Sequence, residues 1–154
     1  MILNIKSAVR SQAEEIQDVL LSCMEHDSEK MKSYGENYAK DCIHNSLLTA
    51  TITCDKTVRG VCVCESSPVP DGCEITALYI SDGFRGIGLG RKLLSHCLRE
   101  MRAKSMKTAF LWLDERSTRA EGFFKKIGFL PDGKRRRMLG ESEDYNELRY
   151  RIDI

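Results

Sequence analysis

The chain has 154 residues and a mass of 17.5 kDa, with 42% hydrophobic and 31% charged residues, which excludes a disordered or Pro-rich chain and suits one domain over 1–154. Its 24 basic and 23 acidic side chains leave a formal charge of +1, too even for wholesale nucleic-acid binding. No apolar run approaches the roughly 20 residues of a bilayer-spanning helix, and no basic-then-apolar leader opens the chain, so no membrane partner is expected and the expected location is cytoplasmic.

Residues 2–9 predict a short strand, and Ser11-Gln12-Ala13-Glu14 has the pattern of a capping box opening a helix. Ala13, Ile16, Val19, Leu20, Cys23 and Met24 keep helical spacing along it. A second, more polar helix is expected over 29–46. Strands follow at 48–54 and 59–66, turned by Asp55-Lys56, then a loop over 67–72 and a strand from Cys73 to Ile80. The second half alternates. Gly88 to Lys104 reads as a helix striped by Leu89, Leu93, Leu94, Cys97, Leu98 and Met101. Thr108 to Leu113 is almost unbroken in its apolar character, the pattern of a strand covered on both faces. Ser117 to Ile127 is a helix ended by Gly128. Short strands over 134–139 and 146–153 close the chain. The order predicts an α/β (α+β) fold with a mixed, mostly antiparallel sheet flanked by helices.

Seven cysteines stand at 23, 42, 54, 62, 64, 73 and 97, with no C-x-x-C pair. Cys62 and Cys64 share one face of a predicted strand. His26, His44 and His96 lie far apart, so no metal site is expected. The thiols read as reduced, small apolar residues.

Arg85-Gly86-Ile87-Gly88-Leu89-Gly90-Arg91 joins the strand ending at Ile80 to the helix striped by Leu89 and Leu93. Glycines let the backbone turn tightly there, and the free N–H groups of the first helical turn, at the positive end of the helix dipole, receive phosphate. Arg85 and Arg91 add charge at either end. A P-loop needs Gly-Lys followed by Ser or Thr, and Gly90 is followed by Arg91-Lys92-Leu93. A G-x-G-x-x-G fingerprint fails too, because its last position falls on Arg91 when read from Gly86.

What fits is Arg-x-x-Gly-x-Gly. With Ala77-Leu78-Tyr79-Ile80 before it, the stretch resembles the acetyl-CoA motif of the GCN5-related N-acetyltransferase (GNAT) superfamily. The segment from Ser117 to Phe129 is similar to the family's later helix, N-x-x-A-x-x-x-Y-x-x-x-G-F. Together the two cover residues 73–133. The resemblance implies an acetyltransferase that binds acetyl-CoA and an amine acceptor together and transfers the acetyl group directly, as a monomer or homodimer. It places the CoA pyrophosphate on the backbone of Arg85, Gly86, Ile87, Gly88, Leu89 and Gly90, with Arg91 beside it. The pantetheine arm pairs with Leu78, Tyr79 and Ile80, and a backbone N–H of that strand holds the thioester carbonyl. Lys126 and Arg119 are further contacts for the CoA phosphates.

Two positions depart from the pattern. The family's Asn is Ser117, which can still cap the helix and donate to CoA. The Tyr that commonly protonates the departing thiolate is Phe124, which has no proton to give, so slower or differently assisted chemistry is expected. The alternative reading is a CoA-binding module with little catalysis. Glu74, at the start of the central strand, matches the carboxylate that serves as general base in the histone-acetyltransferase branch. Alternation places Tyr79 on one face with Ile75 and Ala77. Tyr34, Tyr38 and His44 fall in the variable region that lines the acceptor side. Charge is divided to match: residues 85–107 hold seven bases and one acid, and residues 11–55 hold nine acids and three bases.

Overall fold

A computed structural model describes residues 1–23, 37–140 and 142–154. Seven strands form one sheet: β1 (Leu3–Ser7), β2 (Leu48–Cys54), β3 (Thr57–Ser66), β4 (Gly72–Ile80), β5 (Thr108–Asp114), β6 (Leu130–Met138) and β7 (Tyr145–Asp153), in the order β1-β2-β3-β4-β5-β7-β6. Every neighbouring pair is antiparallel except β4 with β5. The described helices are α1 (Ala13–Cys23), α2 (Tyr38–Asn45), α3 (Leu89–Ala103) and α4 (Thr118–Ile127). None of the described helices is long and apolar enough to cross a membrane. The mixed, mostly antiparallel sheet flanked by helices is the predicted architecture.

Helical structure opens two residues earlier than a Ser11 cap predicts, although α1 itself begins at Ala13. A 3-10 turn over Arg10–Gln12 precedes it, and the Val9 N–H donates to the Gln12 Oε1 at 3.1 Å. Gln12, not Glu14, therefore closes the N-terminus, and the Ser11–Glu14 capping box does not form. Of the second helix predicted over 29–46, the part before residue 37 lies outside the described residues, as does Tyr34, and the rest is α2. The β2–β3 turn is as predicted: Asp55 and Lys56 take φ of 49° and 71°, both positive, which matches the twist of a two-residue hairpin.

The sheet separates two apolar layers. Ile16, Val19 and Leu20 of α1 and Ala39 and Cys42 of α2 bury against Val58, Val61, Val63 and Ala77 on one face. On the other, Leu93, Leu94, Cys97 and Met101 of α3 bury against Ala50, Ile52, Cys62, Cys64 and Ile75, with Phe123, Phe124 and Ile127 of α4 packed alongside. Each fully buried aliphatic side chain contributes about 1.5–3 kcal/mol. Strand β5 is covered on both faces, as its unbroken apolar run predicts, with Phe110 and Leu111 buried on opposite sides, but helices cover only one of them. Its Leu111 faces the α3 layer, and the opposite face is roofed by arginines: Arg149 stacks over Phe110 at 4.4 Å and Arg136 over Trp112 at 4.3 Å. The aliphatic stems and guanidinium planes of arginine exclude water from an aromatic ring while the charge stays solvated.

Strand β4 carries a bulge. Cys64 pairs with Ile75 and Val63 with Ala77, leaving Thr76 as an extra residue. Side-chain direction therefore reverses: Ile75 faces the α3 layer, whereas Ala77 and Tyr79 face the α1 layer. This corrects the expectation that Ile75, Ala77 and Tyr79 share a face.

Candidate active site: a parted sheet with a glycine turn at its end

Strands β4 and β5 pair only at Gly72–Thr108, Cys73–Ala109 and Glu74–Phe110. Beyond Glu74 they separate, while β5 remains paired to β7 as far as Asp114. The edge of β4 from Ile75 to Ile80 thus borders an opening. Two clefts meet there. One, of about 640 Å³, is lined by Leu78, Ile80, Phe84, Arg85, Gly86, Gly88, Leu89, Gly90, Arg91, Ser117, Arg119, Ala120, Phe123 and Phe124. The other, of about 380 Å³, is lined by residues 75–79, by 111–114, and by Ser117, Ala120, Phe124, Tyr145 and Glu147. Leu78, Ser117, Ala120 and Phe124 border both, so the opening runs through the sheet.

The larger cleft ends on the glycine turn. Gly86 and Gly88 have φ of 78° and 87°, and a Cβ built at either meets nothing within 4 Å. Gly88 is the N-cap of α3 and supplies no side chain to cap it. The first N–H groups of α3 thus have no side-chain acceptor and border open space, the arrangement that takes an anion. The Arg85 guanidinium folds back to the strand end, its Nε donating to the Ile80 carbonyl at 2.9 Å with Asp82 3.5 Å away.

Most of the sequence-predicted residues converge here. Leu78, Ile80, Arg85, Gly86, Gly88, Leu89, Gly90, Arg91, Ser117 and Phe124 share the larger cleft. Tyr79 borders only the smaller one, its side chain packed toward α1. Ile87 is 53% exposed and Lys126 is also exposed, both outside the cleft linings. Ser117 is the N-cap of α4, but its hydroxyl makes no cap bond. Phe124 is held edge-on between Phe123 and Phe129, with ring centroids 5.0 and 5.7 Å away.

Glu74 lies at the last β4–β5 pair, where the strands begin to part. Its Oε1 accepts a hydrogen bond from the Trp112 Nε1 at 3.1 Å. Burial pushes its carboxyl above the ordinary value; Arg136 and the Trp112 bond pull the other way, and Glu65 and Glu147 reinforce the rise. Trp112 in turn lies beneath Arg136, whose guanidinium meets Glu147 at 2.7 Å. Sequence reasoning missed this roof. Trp112, Asp114, Tyr145 and Glu147 line the smaller cleft, yet only the alternation of β5 and β7 about the pair Asp114–Glu147 could have brought them together.

Residues 13–129 match the acetyltransferase (GNAT) family. The chain belongs to that family. A probable N-acetyltransferase of Mycobacterium tuberculosis is 34% identical over 65 residues, which are 42% of this chain and 36% of that protein. The chain therefore spans well under half the length of that curated relative. In fold it is similar to a probable acetyltransferase from Staphylococcus epidermidis, with a TM-score of 0.82 at 12% identity over 99% of both chains. It is also similar to the PaiA N-acetyltransferase of Thermoplasma acidophilum, solved in complex with coenzyme A, with a TM-score of 0.73 at 15% identity over the full length of both. Membership carries acetyl transfer as the general chemistry of this GNAT domain.

Proposed function

We propose that this protein is a single-domain N-acetyltransferase that moves an acetyl group from acetyl-CoA directly to a primary amine of a small molecule or protein, both bound at once. The observation that carries the reading is the parting of β4 from β5 beyond Glu74, with an uncapped, glycine-lined helix start at the far end of the opened edge. A pyrophosphate suits the amides from Gly86 to Gly90. An extended amide-bearing arm suits the free edge of β4 at Leu78 to Ile80, where it would stand as an added strand. The acceptor amine enters from the side of Trp112, Asp114, Tyr145 and Glu147, where the carboxylates, each paired to an arginine, keep oxygens that can accept a hydrogen bond from an amine.

In this reaction Glu74 takes the proton from the ammonium, directly or through water, freeing the nitrogen lone pair to attack the thioester carbon. A backbone N–H at the β4 bulge stabilises the carbonyl oxygen as it becomes an oxyanion. The C–S bond then breaks and CoA leaves as a thiolate. Phe124 offers it no proton. A thiol pKa of about 8.5 makes it a tolerable leaving group, and water can protonate it. No metal is needed, and the even net charge is consistent with a cytoplasmic enzyme without nucleic-acid or membrane partners.

The decisive experiment incubates the protein with acetyl-CoA across a panel of amines and reads free thiol. The expected result is amine-dependent thiol release. Tight CoA binding with no release for any amine would favour the second reading, a CoA- or acyl-CoA-binding module, which Phe124 motivates; release only with longer acyl chains would revise the donor.

A further inference from the structure

Three thiols meet in the layer between β3 and α3, away from both clefts. Cys62 and Cys64 project from one face of β3, and Cys97 projects from the middle of α3 onto them. All three are 0% exposed, and their sulfurs lie within 4.8 Å of one another. No cysteine of the chain is in a disulfide. Among the described residues this is the one group of three or more metal-ligating side chains so close together. With bonds to sulfur of about 2.3 Å, a pyramidal three-sulfur centre on a lone-pair ion holds its sulfurs about 3.5 Å apart. Sulfurs within 4.8 Å of one another reach that spacing by small side-chain rotations.

Charge decides which ion fits. Three thiolates carry three negative charges, so a monovalent ion leaves a net −2 in the core and a divalent ion −1. Neither is tolerable where no cation compensates it. The neighbouring charges are of the wrong sign: Glu65 acts on Cys64 and Glu100 on Cys97, each disfavouring further negative charge. Only a trivalent thiophile makes the bound centre neutral.

We infer that Cys62, Cys64 and Cys97 form a binding site for a trivalent, thiophilic metalloid of the arsenite type. The step balances without oxidant or reductant. Arsenous acid exchanges its three hydroxyls for three sulfurs: three As–S bonds form, three As–O and three S–H bonds break, and three waters leave. The product is uncharged and ties α3 to β3. Because the thiols have no exposed surface, loading follows transient displacement of α3 and is slow.

The test incubates the folded protein anaerobically with arsenite and a phosphine reductant, since added thiols would compete for arsenic. A second sample is refolded from denaturant with arsenite present. Native mass spectrometry of each is expected to show one arsenic per chain with loss of three hydrogens. X-ray absorption is expected to give three sulfur ligands and no oxygen. Cys97→Ala removes the three-sulfur centre, leaving at most a two-sulfur, one-oxygen adduct on Cys62 and Cys64, and Cys23→Ser retains the three-sulfur centre. Arsenic absent by both loading routes overturns the site, as does a centre with two sulfurs and one oxygen, or retention of Zn(II) in preference to arsenite. The absorption result keeps the proposal falsifiable if Cys97→Ala fails to fold, and none of these readouts depends on acetyl transfer.

Discussion

At the scale of single residues, the proposed site departs from the family pattern at Ser117 and Phe124 and has a carboxylate at Glu74. Under the proposed mechanism Phe124, an apolar ring packed between Phe123 and Phe129, gives the departing thiolate no proton, so CoA would rely on its own acidity. Glu74 carries the remaining proton chemistry under the proposed mechanism. Its carboxyl is raised by burial, so activity should climb with pH along an acid limb whose midpoint lies above the ordinary carboxylate value. Glu74→Gln should flatten that limb and lower kcat by about 100-fold or more; a pH–rate profile indistinguishable from that of the unaltered protein would remove Glu74 from the reaction. The linkage has the opposite sign for stability. A carboxyl raised in the folded state holds its proton more tightly there, so its contribution is present below the unfolded pKa and is lost as pH rises through the folded one. Glu74→Gln should therefore leave thermal stability at neutral pH unchanged or higher while activity falls, as a melting curve alongside the assay would report.

At the scale of elements, the glycine turn and the β4 bulge set the site. Gly88 holds φ of 87° beside open space, and Gly83, outside the cleft lining, holds φ of 83°, also with nothing near its Cβ position. Replacing either by Val or Ala costs about 1–2 kcal/mol of left-handed strain. Only Gly88→Val also fills the anion cradle, so it should raise the KM for acetyl-CoA about tenfold or more, with Gly83→Ala melting comparably lower at an unchanged KM. The turn was legible because Arg-x-x-Gly-x-Gly stands between a strand and a striped helix and a second motif follows at Ser117 to Phe129. The bulge was not. Ile75 and Ala77 are both apolar, so nothing in composition reports that Thr76 is the added residue and that direction reverses after it. The α1 start misled for a related reason: Ser11 and Glu14 have the right spacing, but Gln12 reaches the Val9 N–H first. The wall of Trp112, Asp114, Tyr145 and Glu147 was illegible because it depends on which strands lie side by side, and β7 returns between β5 and β6.

At the scale of the molecule, the near-zero net charge conceals a division. The stretch from Arg85 to Lys107 is strongly basic and begins on the glycine turn, whereas Asp114 and Glu147 of the β5–β7 wall are ion-paired to Arg116 and Arg136 and leave the other cleft near neutral. Exposed charges are screened over about 10 Å at 0.1 M salt. The KM for acetyl-CoA should therefore rise several-fold between about 0.05 and 0.5 M salt, whereas kcat stays nearly constant. A salt-independent KM would mean that backbone amides alone hold the phosphates. The basic run Lys134 to Arg137 adds little to that field, because three of its four bases, Arg135, Arg136 and Arg137, are matched to Glu115, Glu147 and Asp144.

The three rungs joining Gly72, Cys73 and Glu74 to β5 have a mechanical consequence. In hydrogen-bonding terms the sheet is two panels, one of four strands and one of three, fastened along a short seam at one end. A strand-like ligand entering the gap completes the ladder and works as a splint, so both margins of the opening stiffen together. Amide exchange along β4 beyond the seam and along the facing side of α4 should then slow in step, in proportion to occupancy, even though the two margins belong to different panels.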